Sequence, residues 1–158
     1  MPLKRDLIVQ AVMTRMAGIL STGGYYSNLG SNVFEWRPKV VTEGGGGYVP
    51  TEQAELPAIH IRDTIDDPSR MNVKGDERHD LSLEVEIAHE AAATGRTMRK
   101  HIEDVRKAVG TDTTWGGLAL GTVQSTPTET VRIQADRTFF RSLMHFQVQY
   151  TTSKLSES

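Results

Sequence analysis

The chain has 158 residues, a formal net charge of -2 and no cysteine. This length fits one domain, and a content of 37% hydrophobic and 24% charged residues is ordinary for a globular protein. The small negative charge argues against a general nucleic-acid binder, and the lack of cysteine excludes disulfides and thiolate metal sites. No apolar run approaches the ~20 residues of a membrane span, and Lys4, Arg5 and Asp6 are unlike an export signal. We therefore expect a soluble protein made in a cytoplasm.

The first predicted element is an amphipathic helix over about residues 3–20. Ser21-Thr22-Gly23-Gly24 follows it, and glycines that can adopt a positive φ are typical of a helix end. The apolar residues at helical spacing cover about a third of the circumference, so this helix should pack on one surface. They are Leu7, Ile8, Ala11, Val12, Met16, Ile19 and Leu20.

The sequence after this helix gives a mixed pattern. Val33 to Arg37 is a candidate strand, which Pro38 ends. Thr42 to Glu55 is interpreted as an exposed, mobile loop, because the four glycines Gly44 to Gly47 do not hold a fixed conformation cheaply. Neither Lys-Ser nor Lys-Thr follows these glycines, so a phosphate-binding loop is the less favoured alternative.

The clearest strand signal lies in the middle of the chain. Residues 57–63 form a candidate short strand, and the polar residues Asp63 to Asp80 are interpreted as a loop. Apolar and polar residues then alternate from residue 80 to residue 88, which predicts a strand with one buried face and one face in water. The residues predicted on the buried face are Leu81, Leu83, Val85 and Ile87. Those predicted on the solvent-exposed face are Asp80, Ser82, Glu84, Glu86 and Ala88.

The second half of the chain should add one helix and three strands. The helix is predicted from about Gly95 to Val109, where Gly110 supplies the stop, and its narrow apolar stripe marks it as amphipathic. A turn-rich link over residues 113–118 follows. The candidate strands are Leu118 to Gln124, Thr130 to Asp136 and about Phe140 to Thr151.

This order of elements predicts an α+β fold in the form of a two-layer sandwich. In it, a mixed or antiparallel sheet of four to five strands packs against two amphipathic helices. Residues 1–158 would form a single domain, with flexible loops at about 42–55 and 63–80. The polar tail at 153–158 is expected to fray.

The residues that usually do chemistry give no enzyme pattern. Five histidines are present, and none has the spacing of a metal-binding pair one helical turn apart. Asp63, Asp66 and Asp67 do not follow the calcium-loop pattern, and an Asp-Asp-Pro turn explains them without an ion. No serine lies in a Gly-x-Ser-x-Gly motif. We predict no catalytic, cofactor-binding or metal-binding residue, and a protein that is not an enzyme.

Two charged patterns have plain structural explanations. Glu84 and Glu86 can form cross-strand pairs with Arg132 and Arg141. The basic residues of the second helix are interrupted by Glu103, which can pair with Lys107 one turn later. These interruptions favour a solvated helix face over a nucleic-acid site. The basic residues are Arg96, Arg99, Lys100, Arg106 and Lys107.

Three segments carry information about a family. A helix ending in Asp104-Val105-Arg106-Lys107-Ala108-Val109 leads to an acidic turn with Trp115-Gly116-Gly117-Leu118. The final strand, Phe140 to Thr151, ends in an aromatic-Thr pair, and the opening helix and the strand Leu83 to Ile87 stand in the same order. In these features the chain resembles the tail-terminator proteins (tail-completion, minor tail protein U-like) of long-tailed bacteriophages. The insert Gly44 to Gly47 has no counterpart in that arrangement.

The resemblance implies an α/β subunit that assembles as a hexameric ring on the last ring of the tail tube, near the head. Such a ring ends the polymerisation of the tail-tube protein and joins the tail to the neck or head-tail connector protein. In a contractile tail it can also contact the sheath protein. DNA would pass through without specific binding, and no membrane or cofactor is implied. The protein would lie in the tail or neck of the virion, after assembly in the host cytoplasm.

Two sets of residues are candidates for the surfaces of such a ring. The wet strand face with Asp80, Glu84 and Glu86 is expected to line the lumen, because basic residues there would retain DNA phosphates. For Trp115, an interface anchor and a cover for the end of the sheet are equally weighted alternatives. The candidate interface residues are Tyr48, Trp115, Gly116, Gly117 and Leu118.

Other functions stay open beside the tail terminator. The nearest is another neck or head-closure component of the virion. A small α+β enzyme that acts through a His-Asp or His-Glu pair and a host adaptor domain of similar shape are further alternatives. Fold analogy alone does not separate these functions.

Overall fold

A computed structural model of the chain describes residues 3–36, 41–42, 47–48, 56–71, 75–90, 92–134 and 138–153. The two α-helices in these ranges are α1 (Lys4–Ala17) and α2 (Gly95–Thr111), and short 3-10 helices cover Ser21–Gly23 and Leu29–Ser31. The strands are β1 (Val33–Glu35), β2 (Val41–Thr42), β3 (Gly47–Tyr48), β4 (Ala58–Met71), β5 (Asp76–His89), β6 (Gly121–Gln124), β7 (Glu129–Gln134) and β8 (Thr138–Ser153).

Six of these strands form one mixed sheet. Its order is β1-β4-β5-β8-β6, and β7 also pairs with β8. β1 runs parallel to β4, while the other neighbours are antiparallel. β2 and β3 form a separate two-stranded sheet. The predicted α+β class is thus confirmed, and the described sheet has one strand more than the upper limit of the prediction.

Both helices pack on one face of this sheet. The apolar stripe of α1 contributes Ile8, Val12 and Met16 to the core, and α2 contributes Val105 and Ala108. Side chains alternate between the faces of a strand, so every second residue of the long strands meets these helices. The strand residues of the core include Ile59, Ile61, Leu81, Leu83, Val85, Ile87, Met144, Phe146 and Val148.

The first turn of α2 is capped by a side chain. The Thr94 hydroxyl accepts a hydrogen bond from the backbone N–H of Thr97 at 3.2 Å, which satisfies one of the free donors of the first turn. Asp112 is the residue after the last turn. The prediction of a helix from Gly95 to about Val109 is therefore confirmed to within two residues.

The prediction of a loop over residues 63–80 is wrong, because β4 and β5 continue through most of this stretch as a hairpin. We call residues 64–71 and 76–82 the arm. β4 bulges between Asp63 and Ile65 and again between Asp67 and Arg70. β8 pairs with β5 along the whole arm and ends opposite Asp76 at Ser153. The sequence concealed these strands because backbone pairing, rather than a continuous apolar face, holds the arm together.

Several predictions fall partly outside the described residues. The loop predicted at 42–55 contains β2 and β3, and Gly44 to Gly46 lie outside the description, as do residues 154–158. Strand β1 is shorter than predicted and ends at Glu35. Among the described helices, neither α1 nor α2 has the length and apolar content needed to cross a bilayer.

Candidate functional site

A network of charged side chains lies on the face of the sheet opposite the helices. Arg62 on β4 is 2% exposed, and its Nη1 lies 3.2 Å from Glu84 Oε1 and 3.4 Å from Glu86 Oε2 on β5. Arg141 on β8 approaches Glu86 from the other side, at 3.7 Å. Two arginines and two glutamates thus compensate one another across three neighbouring strands. The predicted cross-strand pair between Glu86 and Arg141 is confirmed.

The prediction that Glu84 and Glu86 stand in water is wrong. Glu84 is 7% exposed and Glu86 is 0% exposed, so neither carboxylate is available to line a lumen. Strict alternation correctly separates the two faces of β5, but it does not tell whether the second face is wet. The Arg62 side chain, which lies on the adjacent strand, supplies the charge that makes burial of both carboxylates tolerable. Asp80, farther along the same face, is half-exposed.

A second polar cluster is enclosed between the sheet and α2. His89 Nε2 lies 2.8 Å from Ser142 Oγ, whose other neighbour is Thr130 Oγ1 at 2.7 Å. The other ring nitrogen of His89 faces His101 Nδ1 of α2 at 2.9 Å, and the two rings are stacked. One Nδ1 must donate and the other accept, so the pair accommodates one proton between the two nitrogens. The four side chains form a continuous hydrogen-bonded chain from β7 to α2.

The pair of Ser142 and His89 has the contact that hydrolases use to activate a serine, but a substrate does not reach this pair in this conformation. A serine hydroxyl within hydrogen-bond distance of a histidine is the starting geometry for nucleophilic attack. Ser142 and His89 are both 0% exposed, however. The arrangement therefore acts as a hydrogen-bonded core connection that fixes α2 against the sheet. Sequence spacing excludes a metal-binding pair among these histidines but does not predict their contact, although the helical position of His101 indicates the buried side of α2.

Burial depresses the basicity of both histidines. Loss of solvation and, to a smaller extent, the neighbouring His101 together lower the pKa of His89 to about 3. Loss of solvation also lowers the pKa of His101, while Glu90 and Asp104 partly oppose this shift. In the unfolded chain each imidazole would titrate with a pKa of about 6.5. The unfolded state therefore binds protons below that pH that the folded state does not.

This difference predicts that acid destabilises the protein through His89. Because the folded pKa is the lower one, the stabilisation is complete above pH ~6.5 and is lost as the pH falls through that value. Between pH 7 and pH 5 the loss from His89 alone should be about 2 kcal/mol. Urea unfolding of the wild type and of His89→Gln at both pH values measures it. The variant should lose much of the pH dependence, whereas His145→Gln, which changes a half-exposed histidine, should keep it. Equal slopes for His89→Gln and the wild type would contradict this assignment.

Asp104 connects α2 to the loop after α1. Its carboxylate is 1% exposed and accepts hydrogen bonds from the backbone N–H groups of Tyr26 and Ser27, both at 2.9 Å, and from Ser27 Oγ at 2.6 Å. Hydrogen bonds to an ionised group are stronger than neutral ones, so this loop is held firmly against the helix. The Tyr26 side chain projects from it into solvent.

The Trp115 turn is organised around Asp112. The Asp112 carboxylate accepts hydrogen bonds from Thr114 Oγ1, Gly116 N and Thr114 N, and these bonds lower its pKa to about 2. Trp115, Gly116 and Gly117 all have positive φ, which explains the two glycines, because only glycine adopts this conformation without strain. The Arg15 guanidinium lies 4.1 Å from the centre of the Trp115 ring. The turn and α1 together border a shallow groove of about 530 Å³.

The candidate interface residues fall into different environments. Trp115 is 2% exposed, and its Nε1 donates a hydrogen bond to Thr122 Oγ1 at 2.8 Å, so it belongs to the core of its own chain. Of the two alternatives for Trp115, the structure thus favours the cover at the end of the sheet. Gly116 and Gly117 are exposed, and Leu118 is partly buried against the core. The side chain of Tyr48 lies outside the description.

Two of the three clustered aspartates, Asp63 and Asp66, make structural contacts. Asp63 accepts a hydrogen bond from Arg5 Nε at 2.6 Å, and Asp66 accepts one from Tyr150 OH at 2.8 Å. His79 Nδ1 lies 3.2 Å from the other oxygen of Asp66. These contacts tie α1 and β8 to the base of the arm, and they replace the predicted Asp-Asp-Pro turn. Within the described ranges, His, Asp and Glu side chains form no cluster suited to a metal ion.

The outer surface of α2 is strongly basic. Helical spacing places five cations and Glu103 on the side of α2 away from the core. Arg106 Nη1 contacts Glu103 Oε1 at 2.7 Å. Lys107 Nζ contacts the carbonyl oxygen of Gly24 at 2.7 Å, and Lys100 Nζ lies 5.7 Å from the centre of the Tyr26 ring. We call this surface the cationic face; it comprises Arg96, Arg99, Lys100, Arg106 and Lys107.

Comparison with known proteins adds no assignment to this geometry. No protein-family model matches the chain, and a search of curated proteins gives no match.

Proposed function

We propose that the chain is the subunit of a homohexameric ring that caps the head-proximal end of a phage tail tube. In this role the ring ends polymerisation of the tail-tube protein and offers the joining surface for the neck or head-tail connector protein. If the tail is contractile, the sheath protein is a further partner. The protein would act in the virion through its surfaces and without a cofactor, and DNA would pass through the ring.

The observation that carries this proposal is the arrangement of the segments with the family resemblance. The end of α2, the Trp115 turn and β8 follow one another in the order that the resemblance implies, and they meet in space. Trp115 bonds Thr122 on β6, and β6 pairs with β8 between Phe146 and Gln149. Because the three segments lie next to one another in the fold, they support a common origin with the tail-terminator family more strongly than three unconnected short matches would.

The fold class gives further support. The resemblance implies an α/β subunit, and the chain packs α1 and α2 on one face of a mixed sheet. The same fold class serves many unrelated functions, so this agreement is weaker support than the arrangement of the three segments. The proposed lumen wall is revised: it does not include Glu84 and Glu86, which are buried in their own chain.

Co-expression with the tail-tube protein of the same genome tests the proposal. Electron microscopy should show tubes that carry one additional ring at one end and that stop growing, whereas the tube protein alone should give tubes of uncontrolled length. Tubes of equal length in both samples, without a terminal ring, would refute it. Rings that bind the connector protein and leave the tubes unchanged would instead favour the alternative of another neck or head-closure component.

A further inference from the structure

Two surfaces of the described chain combine an exposed large hydrophobic side chain with a cluster of charged side chains. The first is the cationic face with Tyr26, whose side chain is 70% exposed beside Lys100. Asp104 holds the backbone of this loop, so the aromatic ring has a fixed anchoring point. An apolar anchor with a charged rim is the usual anatomy of a protein interface.

The second surface is on the arm, where two carboxylates lie beside an exposed isoleucine. Ile65 is 60% exposed. The register pairs Ile65 with Ser82 and Asp67 with Asp80, so the two carboxylates stand on the same face of the sheet as Ile65. Asp67 is exposed and Asp80 half-exposed. We call Ile65, Asp67 and Asp80 the acidic face of the arm. The next pair in the register, Arg70 with Arg78, is basic, so the acidic character is limited to the part of the arm around Ile65.

We propose that the cationic face of one copy binds the acidic face of the arm of the next copy. This inference rests on the proposed ring and identifies the contact between its subunits. Two different surfaces that complement each other form a head-to-tail contact, and such contacts close into a ring when the rotation between copies is suitable. Contact between two identical faces is disfavoured, because it would bring like charges together.

Charge complementarity within the chain favours a second copy over nucleic acid as the partner. Five cations on α2 are opposed on the outer side of the helix by Glu103 alone, although the whole chain has a net charge of -2. The remainder of the chain therefore carries an acidic excess, which would repel DNA phosphates. A neighbouring copy supplies carboxylates and an exposed isoleucine, which fit both the charge and the aromatic anchor of the cationic face.

A charge-swap experiment tests this contact. The helix variant is Arg96→Glu with Arg99→Glu, the arm variant is Asp67→Lys with Asp80→Lys, and the third variant combines all four changes. Each of the first two variants should raise the protein concentration needed for assembly at least tenfold at 0.1 M salt. The combined variant should assemble at a concentration close to that of the wild type. Native mass and sedimentation measure assembly, and circular dichroism with thermal unfolding verifies that each variant folds.

Control variants, and measurements over a range of salt concentrations, separate the possible results of this experiment. Arg132→Glu and Glu129→Lys change exposed charges on β7 and should leave assembly unchanged. If the arm variant does not fold, Asp67→Lys alone replaces it. Rings that form equally well in all folded variants would overturn this contact while leaving the proposed function intact. Loss of retention on duplex DNA, with unaffected rings, would assign the cationic face to nucleic acid instead. A wild type that stays monomeric at every salt concentration would overturn both the contact and the ring.

Discussion

Replacing Arg62 with methionine is expected to lower the free energy of unfolding by about 3–5 kcal/mol. Arg62 lies between Glu84 and Glu86 and contacts both carboxylates. Its removal leaves two carboxylates on one buried face, and only Arg141 remains as a described cation near Glu86. Breaking a buried ion pair costs this much because the remaining charge stays desolvated. Urea unfolding at pH 7 measures the change.

A second substitution separates lost charge compensation from lost packing. Arg62→Met combined with Glu84→Gln removes one of the two carboxylates and leaves Glu86 beside Arg141, so part of the lost stability should return. Arg99→Met, a change of the same type on the exposed side of α2, should cost no more than about 0.5 kcal/mol. A cost below about 1 kcal/mol for Arg62→Met would show that water replaces the arginine and that the face is not dry.

Replacing Trp115 with alanine should cost about 3–5 kcal/mol, the usual cost of removing a buried aromatic side chain. The indole fills the space between α1, the turn and β6, and its Nε1 donates to Thr122 Oγ1. Arg15 would lose the ring against which its guanidinium packs. Thermal and urea unfolding of the monomeric chain measure the loss.

The same variant distinguishes a core residue from an interface anchor. A core role predicts lower stability at any protein concentration, whereas an interface role predicts a normally stable chain that no longer assembles. Trp36→Ala is the matched control. Trp36 is half-exposed at the end of β1, so its replacement should lower the free energy of unfolding much less. A fully stable Trp115→Ala chain would contradict the core assignment.

The elements with a strong apolar pattern are the ones that sequence reasoning located well. α1, α2 and the alternating part of β5 depend on local spacing, which the sequence displays directly. The sequence does not reveal the arm, because its strands have no continuous apolar face and its β5 part is held by pairing with β8 across 65 to 77 positions of sequence. Pairing of distant segments leaves no signal in a local window.

The polar clusters were predicted least well. Alternation gave Glu84 and Glu86 the correct face of β5 but the wrong surroundings, since the decisive partner, Arg62, lies on another strand. The contact between His89 and His101 joins a strand to a helix, and Ser142 adds a third element. Such clusters depend on tertiary register, which residue spacing does not encode.

Native mass spectrometry with negative-stain imaging of the purified chain tests the proposed ring most directly. At micromolar concentration and low salt, we expect a species of six times the 17.5 kDa chain mass and images of rings with a central hole. A stable monomer or a closed dimer under the same conditions would contradict the proposal that this chain works as a ring-forming subunit.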